Sequence, residues 1–376
     1  MNKKFNLLLI SLFYIFSNSC FASEILGDAT AISIIKNGLA KTYNYEFDKA
    51  EEYFLKIKQT HPSSPAYYLL EAILTNIQYP NLNPNISSKE YKYLIENLQK
   101  TISLADHILK TKPTNLEAIF YKLNALSLIG SKYSEAKDYT KALNYAKQTY
   151  DYLKKGMAHK QELKEFYFSS GLYNYYTIQY PESHPIVKPI MWFFEKGNKS
   201  LGLKELEFAS QNTIFSQNEA LYFLSNIYFK YEENPTQSLK YLKLLSEKYP
   251  KNSFYQFKNA ELNIYFNNKE DLFENLDSIS TNKSPFYQVA YWALNGHYQL
   301  ISHYNISKVK ASFNEALKIA EQYKIKNQEL ICLIHLGLAR CYWQEKNKIK
   351  AKNHYEIAKD NTSNKLYLKE IKTHFD

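Results

Sequence analysis

The chain has 376 residues, 47 Lys and Arg against 37 Asp and Glu, a formal net charge of +10, and 16% aromatic residues. Nine Gly and eleven Pro are too few for a β-rich or loop-rich protein, and three Cys exclude a disulfide framework. Arg340 is the only Arg; bidentate reading of bases and phosphates favours Arg over Lys, so nucleic acid is not an expected partner.

Lys3 and Lys4 precede an apolar stretch from Phe5 to Phe16 that ends in Ser17, Asn18, Ser19 and Cys20. These are the parts of a signal peptide, and the apolar core is too short to span a bilayer. Cys20 and Ala22 stand at the minus 3 and minus 1 positions of a cut before Ser23. The expectation is an exported protein, with residues 1–22 removed, that is periplasmic or associated with the outer membrane of a Gram-negative bacterium. Cys20 also leaves open a lipid-anchored form, with peripheral membrane association, although Ser17 occupies the place where a lipoprotein signal usually carries an aliphatic residue.

Segments with a 3.6-residue apolar period then follow one another almost without interruption, which makes the class all-α. A first helix pair is predicted over Ala29–Tyr45 and Asp48–Gln59, closed by Pro62. In it the small residues Gly38 and Ala50 lie at fixed offsets from bulky Phe54 and Ile57. Ser64–Lys112 carries an insertion at Tyr79–Ser88, and Asn115–Lys155 reads as two long helices split near Gly130. Leu221, Leu224, Ser225 and Tyr228 open a further pair that closes at Pro250, and Ser253–Ser280 makes a short one. Trp292, Gly296, Phe313 and Ala316 mark the next, over Pro285–Glu321. His335, Leu338, Ala339, Tyr342, Ala351, Tyr355 and Ala358 mark the last, and Lys365–Phe375 reads as a terminal helix that gives it a polar cover.

This spacing resembles the tetratricopeptide repeat, a helix pair of about 34 residues. Ile34, Gly38, Ala50, Phe54, Ile57 and Pro62 take its signature positions. The resemblance implies a helix-pair solenoid, a superhelix of about eight pairs over residues 23–376. It also implies an adaptor or scaffold that binds a protein or peptide in the groove lined by the first helix of each pair. By the same resemblance, groove positions fall at Ile35, Leu39, Thr42 and Tyr43, at Tyr222, Asn226, Phe229 and Lys230, and at Leu336, Arg340 and Trp343. Arg340 beside Trp343 suits a carboxylate or a stacked side chain, or else a solvated salt bridge.

Glu162–Ala209 breaks the pattern. FYFSSGLYNYY (Phe166–Tyr176) runs into YPESHP (Tyr180–Pro185), PIMWFF (Pro189–Phe194) and GNKSLGLKELEFA, as if about twenty residues had been inserted between the two helices of one repeat. The block resembles a segment of tetratricopeptide proteins of bacterial cell envelopes and of the related inclusion-body-clearance family, which implies an interaction protein without catalysis. Its aromatic run divides between packing and binding. The apolar run PIMWFF needs cover, as core, lid or membrane-touching helix. Together these readings nominate Tyr43, Tyr173, Tyr176, Trp192, Phe193, Tyr222, Asn226, Phe229, Arg340 and Trp343 as partner-binding residues.

Catalytic constellations are not found: there is no HExxH, paired CxxC, GxxxxGK[ST], GxGxxG or GxSxG. Glu182 and His184 are the nearest to an acid/base pair, but they read better as an inter-helix turn held by Pro181 and Pro185. Cys332 and Cys341 fall nine residues apart in one helix, about 13 Å along its axis, too far to bridge. No catalytic residue, cofactor or metal is expected. The competing expectation is an α/α-toroid enzyme that processes cell-envelope glycans across an aromatic, carboxylate-lined cavity.

Overall fold

The computed structural model describes residues 24–374 except 81, 87, 184–187, 192 and 193. The proposed signal peptide, His184, and the candidate residues Trp192 and Phe193 therefore lie outside the described residues. Among those described, every regular element is a helix, and no helix is long and apolar enough to cross a membrane. The chain divides into two compact units, one reaching residue 156 without 43–45, the other comprising 43–45 and 157–376.

In the first unit a 3-10 turn at Ile25–Gly27 leads into α1 (Ala29–Tyr43), α2 (Phe47–Thr60), α3 (Ala66–Gln78), α4 (Lys89–Thr111), α5 (Leu116–Glu135) and α6 (Tyr139–Ala158). Gly38 lets α1 close on α2, since a Cβ there would collide with the Phe54 ring. Phe54, Ala50 and Ile57 are fully buried, as the signature requires. The expected break near Gly130 is not there: Gly130 lies inside α5, and the chain turns at 136–138. That glycine serves packing, with Tyr145 of α6 only 3.1 Å from where its Cβ would be, and Tyr133 stacks on Tyr145. The unit's first residues are pinned by Glu117, whose carboxylate accepts the backbone N–H groups of Ile25 and Leu26 at 3.0 and 2.6 Å.

The second unit contains α7 (Phe166–Ser183), the single turn α8 (Lys188–Met191), α9 (Lys199–Asn212), α10 (Gln217–Lys230), α11 (Pro235–Lys248), α12 (Ser253–Tyr265) and α13 (Lys269–Ser280). It continues through α14 (Pro285–Ile301), α15 (Ile306–Gln322), α16 (Gln328–Gln344), α17 (Lys348–Asp360) and α18 (Lys365–Thr373). Helices pack as consecutive pairs: α7 with α9, α10 with α11, α12 with α13, α14 with α15, and α16 with α17. The pairing is tetratricopeptide-like in its details. Ser225 takes the small position of α10, and its backbone O and Oγ meet the Ser238 Oγ of α11 at 2.7 and 2.9 Å. Phe313 of α15 is wedged between Gly296 of α14 and Gly337 of α16, where any Cβ would strike its ring.

The α7/α9 pair is the split repeat. Its helices touch backbone to backbone: a Cβ on Gly171 would lie 2.9 Å from the Leu206 N, and one on Gly202 would lie 2.7 Å from the Tyr175 N. Buried Glu205 then locks the pair, accepting from Ser170 Oγ at 2.7 Å and Asn174 Nδ2 at 2.9 Å and pairing with Lys160. The turn expected at YPESHP is not present at Tyr180–Glu182, and His184 and Pro185 lie outside the described residues. α7 runs through Tyr180, Pro181 and Glu182 to Ser183, because a proline in the last turn removes only one backbone hydrogen bond. Glu182 is held by Lys199 at 2.7 Å.

Two devices explain how so few glycines suffice. Asn side chains cap α5, α9, α11, α12, α13 and α15–α18, each accepting a backbone N–H of its helix's first turn; such a cap is worth about 1 kcal/mol. Tyr45, Lys137, Asn267, His303, Lys324 and Lys346 adopt φ between 52° and 62° just after a helix end. In each case the next residue's N–H returns to a carbonyl five residues back, as from Asn347 to Tyr342 O at 2.9 Å. This is the Schellman stop usually given to glycine.

Candidate functional site: a charged seat beneath the terminal helix

The first helices α10, α12 and α16 of three pairs converge on α18. Lys230 closes α10, Lys258 and Glu261 face each other one turn apart on α12, and Glu329 opens α16. Glu329 bridges both lysines, 2.8 Å from Lys230 Nζ and 2.5 Å from Lys258 Nζ, while Lys258 also reaches Glu261 at 3.3 Å. Lys258 and Glu261 are 6% and 2% exposed, a buried ion pair whose desolvation Glu329 and Lys230 help to offset. Burial would lower the Lys258 pKa, but Glu261 and Glu329 outweigh it and raise it. Burial likewise works to raise the Glu329 carboxyl, and Lys258 and Lys230 hold it well below the usual range.

On this frame α18 is seated by three side chains. Tyr367 OH donates to Glu261 Oε1 at 3.3 Å, and the Tyr367 ring stands edge-on to Phe229 at 5.7 Å. Glu370 receives Arg340 Nε and Nη2 at 2.8 and 2.7 Å, a bidentate pair. His374 stacks on Tyr355 at 4.9 Å and lies 4.5 Å from the Trp343 ring. Behind Arg340, buried His297 donates from Nε2 to Leu333 O at 2.9 Å and presents Nδ1 to Arg340 Nη1 at 3.5 Å. Burial and the adjacent guanidinium push its pKa down to about 3, so it is a neutral acceptor. Between α16 and α17, His335 and His354 bring their Nδ1 atoms to 2.8 Å; burial and His354 push His335 down to about 4.

Open space remains at both ends of α18. At its start a recess of about 330 Å³ is lined by Tyr222, Lys230, Glu329 and the 361–364 turn. Past its end another, about 730 Å³, is lined by Arg340, Trp343, Tyr355 and His374. Among the described residues no group of three or more metal-ligating side chains occurs. The two cysteines of α16 are buried and free, and burial pushes Cys332 up to about 12 and Cys341 to about 11.

The structure sorts the nominated residues. Tyr222 and Trp343 line the two recesses. Arg340 does hold a carboxylate, but that of Glu370 in the same chain. Phe229 is buried, 4% exposed, under Tyr367, and so offers no free surface. Tyr43 is equally buried, as are Ile35, Leu39, Thr42 and Leu336; these positions belong to the core because their side chains are covered on the face assigned to a ligand. Asn226 and Tyr176 bond each other, which ties α7 to α10, and Tyr173 donates to Glu195 O at 2.6 Å, which ties α7 to the segment before α9. Lys258, Glu261, Glu329, Tyr367 and Glu370 were not nominated. Only the unusual burial of charge on α12 would have pointed to them, and burial is invisible before the pairs are assembled.

No protein-family model matches the chain, and no curated protein does either. Among solved structures it is similar to a tetratricopeptide repeat protein from Parabacteroides merdae, 15% identical, with 81% of this chain and 97% of that one covered and a TM-score of 0.33. It is also similar to the C-terminal part of a repeat-containing protein of the same kind from Cytophaga hutchinsonii, 14% identical, over 89% and 98% of the chains, with a TM-score of 0.27. The helix-pair architecture stands on the packing described above.

Proposed function

We propose that this is an exported, non-enzymatic adaptor whose second unit binds a polypeptide in the seat formed by α10, α12 and α16. Preformed helix-pair surfaces bind chains at low entropic cost, because the scaffold is already ordered. The observation that supports this reading is that the seat already holds a helical segment, α18, by an aromatic anchor and a bidentate ion pair, the features that carry interfaces. Export is supported by Lys3, Lys4 and the apolar stretch after them.

In-cell crosslinking of the tagged full chain, followed by mass spectrometry, tests the function. A reproducible polypeptide whose capture falls when Tyr222→Ala and Lys230→Ala are combined is expected. Capture of glycans alone, or of a polypeptide indifferent to those changes, overturns it. N-terminal sequencing of the protein from the cell envelope, expected to begin at Ser23, tests export; an intact Met1 overturns that part.

A further inference from the structure

α18 shows one face to the seat. Tyr367, Glu370, Ile371 and His374 stand at i, i+3, i+4 and i+7, which is a single stripe of a helix. Tyr367 and Ile371 are 3% and 2% exposed, while Lys365, Lys369 and Lys372 face solvent. Three of the four have a matched receiver, Glu261 and Phe229 for Tyr367, Arg340 for Glu370, Trp343 and Tyr355 for His374, and Ile371 is buried with them. A helix of nine residues is too short to stand alone in water, so its order comes from the seat.

The seat is also longer than its occupant. Nine residues span about 13 Å, and a recess continues beyond each end of them. Trp343, at the far end, keeps 38% of its surface exposed. At the near end the Nδ2 of Asn364, itself 2% exposed, has no hydrogen-bond partner.

We propose that the seat's ligand is a longer amphipathic helix of a protein partner, and that α18 is a resident stand-in which that helix displaces. The proposal rests on the adaptor reading. The partner helix carries an aromatic residue, an acid three positions on, an aliphatic residue at four and a ring at seven. Its extra turns occupy the two recesses, against Tyr222 and Lys230 at one end and Trp343 at the other. An α18 from a second copy would leave the same recesses empty, so a different polypeptide is the better occupant. Resident competition lowers the partner's apparent affinity by the fraction of time the seat is closed. The seat is thereby kept covered until a sufficiently strong ligand arrives.

The test uses the full chain and a fluorescein-labelled synthetic peptide with the sequence of residues 361–376. Wild-type protein is compared with a loosened variant, Tyr367→Ala with Ile371→Ala, by fluorescence anisotropy. The loosened variant is expected to bind the peptide about tenfold more tightly than wild type, and Arg340→Ala added to it to remove that gain. A folded loosened variant that binds no peptide, or binds no better than wild type, overturns the proposal. So does wild-type protein that dimerises by light scattering and loses the dimer in the loosened variant, which would give the seat to a second copy. If the variant fails to fold, hydrogen exchange of the wild type decides: α18 amides exchanging about 100-fold faster than those of α16 fit a displaceable helix, and equal protection excludes one. Crosslinked capture that depends on Tyr222 and Lys230 while the peptide fails to bind would leave the adaptor standing and remove only the stand-in.

Discussion

The α7/α9 pair and the seat beneath α18 lie in the same unit and are held together in opposite ways. In α7/α9 two glycines bring backbones into contact, so cohesion comes from shape, with Glu205 as a single lock. Under α18 the helices are joined by Lys230, Lys258, Glu261 and Glu329, and cohesion comes from charge that must stay paired. Shape can be satisfied only one way. A charged seat can exchange one matched occupant for another, which is what a binding surface needs.

The sharpest way to break the comparison is Lys258→Met. It leaves Glu261 without its ammonium in a buried site, and a cost of about 3 kcal/mol is expected, measured by urea unfolding at neutral pH. Because the orphaned carboxyl can take up a proton, that cost should shrink when the unfolding is repeated near pH 5. Gly202→Ala attacks the other region and should cost about 2 kcal/mol, with no relief at pH 5, since its Cβ meets the Tyr175 backbone whatever the pH. Gly130→Ala, whose added Cβ would lie 3.1 Å from the Tyr145 Cβ and 3.9 Å from the Ala142 O, is the milder comparison and should cost less than Gly202→Ala, again with no relief at pH 5.

A smaller effect separates the regions by acid. His335 is held neutral, with its pKa depressed to about 4, so the unfolded chain binds its proton first. The penalty is absent above an ordinary histidine pKa of about 6.5 and grows as pH falls toward 4. Half-burial screens it, leaving on the order of 1 kcal/mol. Wild type should therefore lose that much relative to His335→Gln between pH 7 and pH 5 in paired melts. The smallest change tests the helix stops. Lys346→Gly should stabilise by about 0.5–1 kcal/mol by relieving φ 58°, and should leave peptide binding unchanged.

Much of the fold was legible. The bounds expected at Ser253–Ser280 are those of α12 and α13, because small and bulky residues at fixed offsets are a local code. Gly38 and Gly296 were legible for the same reason. Gly171 and Gly202 were not, since they meet across an insertion that hides their spacing. The stops at Lys137 and Lys346 carry no signal in the sequence, because the turn is marked by backbone conformation and not by glycine. Periodicity makes the terminal helix a cover for the last repeat and is blind to its seat: Tyr367 reaches Glu261 across 106 residues, and no local spacing reports such a meeting.

Phe313 carries one more lesson. Its ring is shared by Gly296 of one repeat and Gly337 of the next, so two repeats that look independent in sequence own one side chain between them. Duplication, deletion or shuffling of either repeat alone would strand that ring or leave a hole where it had been. The stretch from α14 to α16 therefore packs as one block, and the smallest part that can be exchanged without disturbing that ring is larger than the repeat.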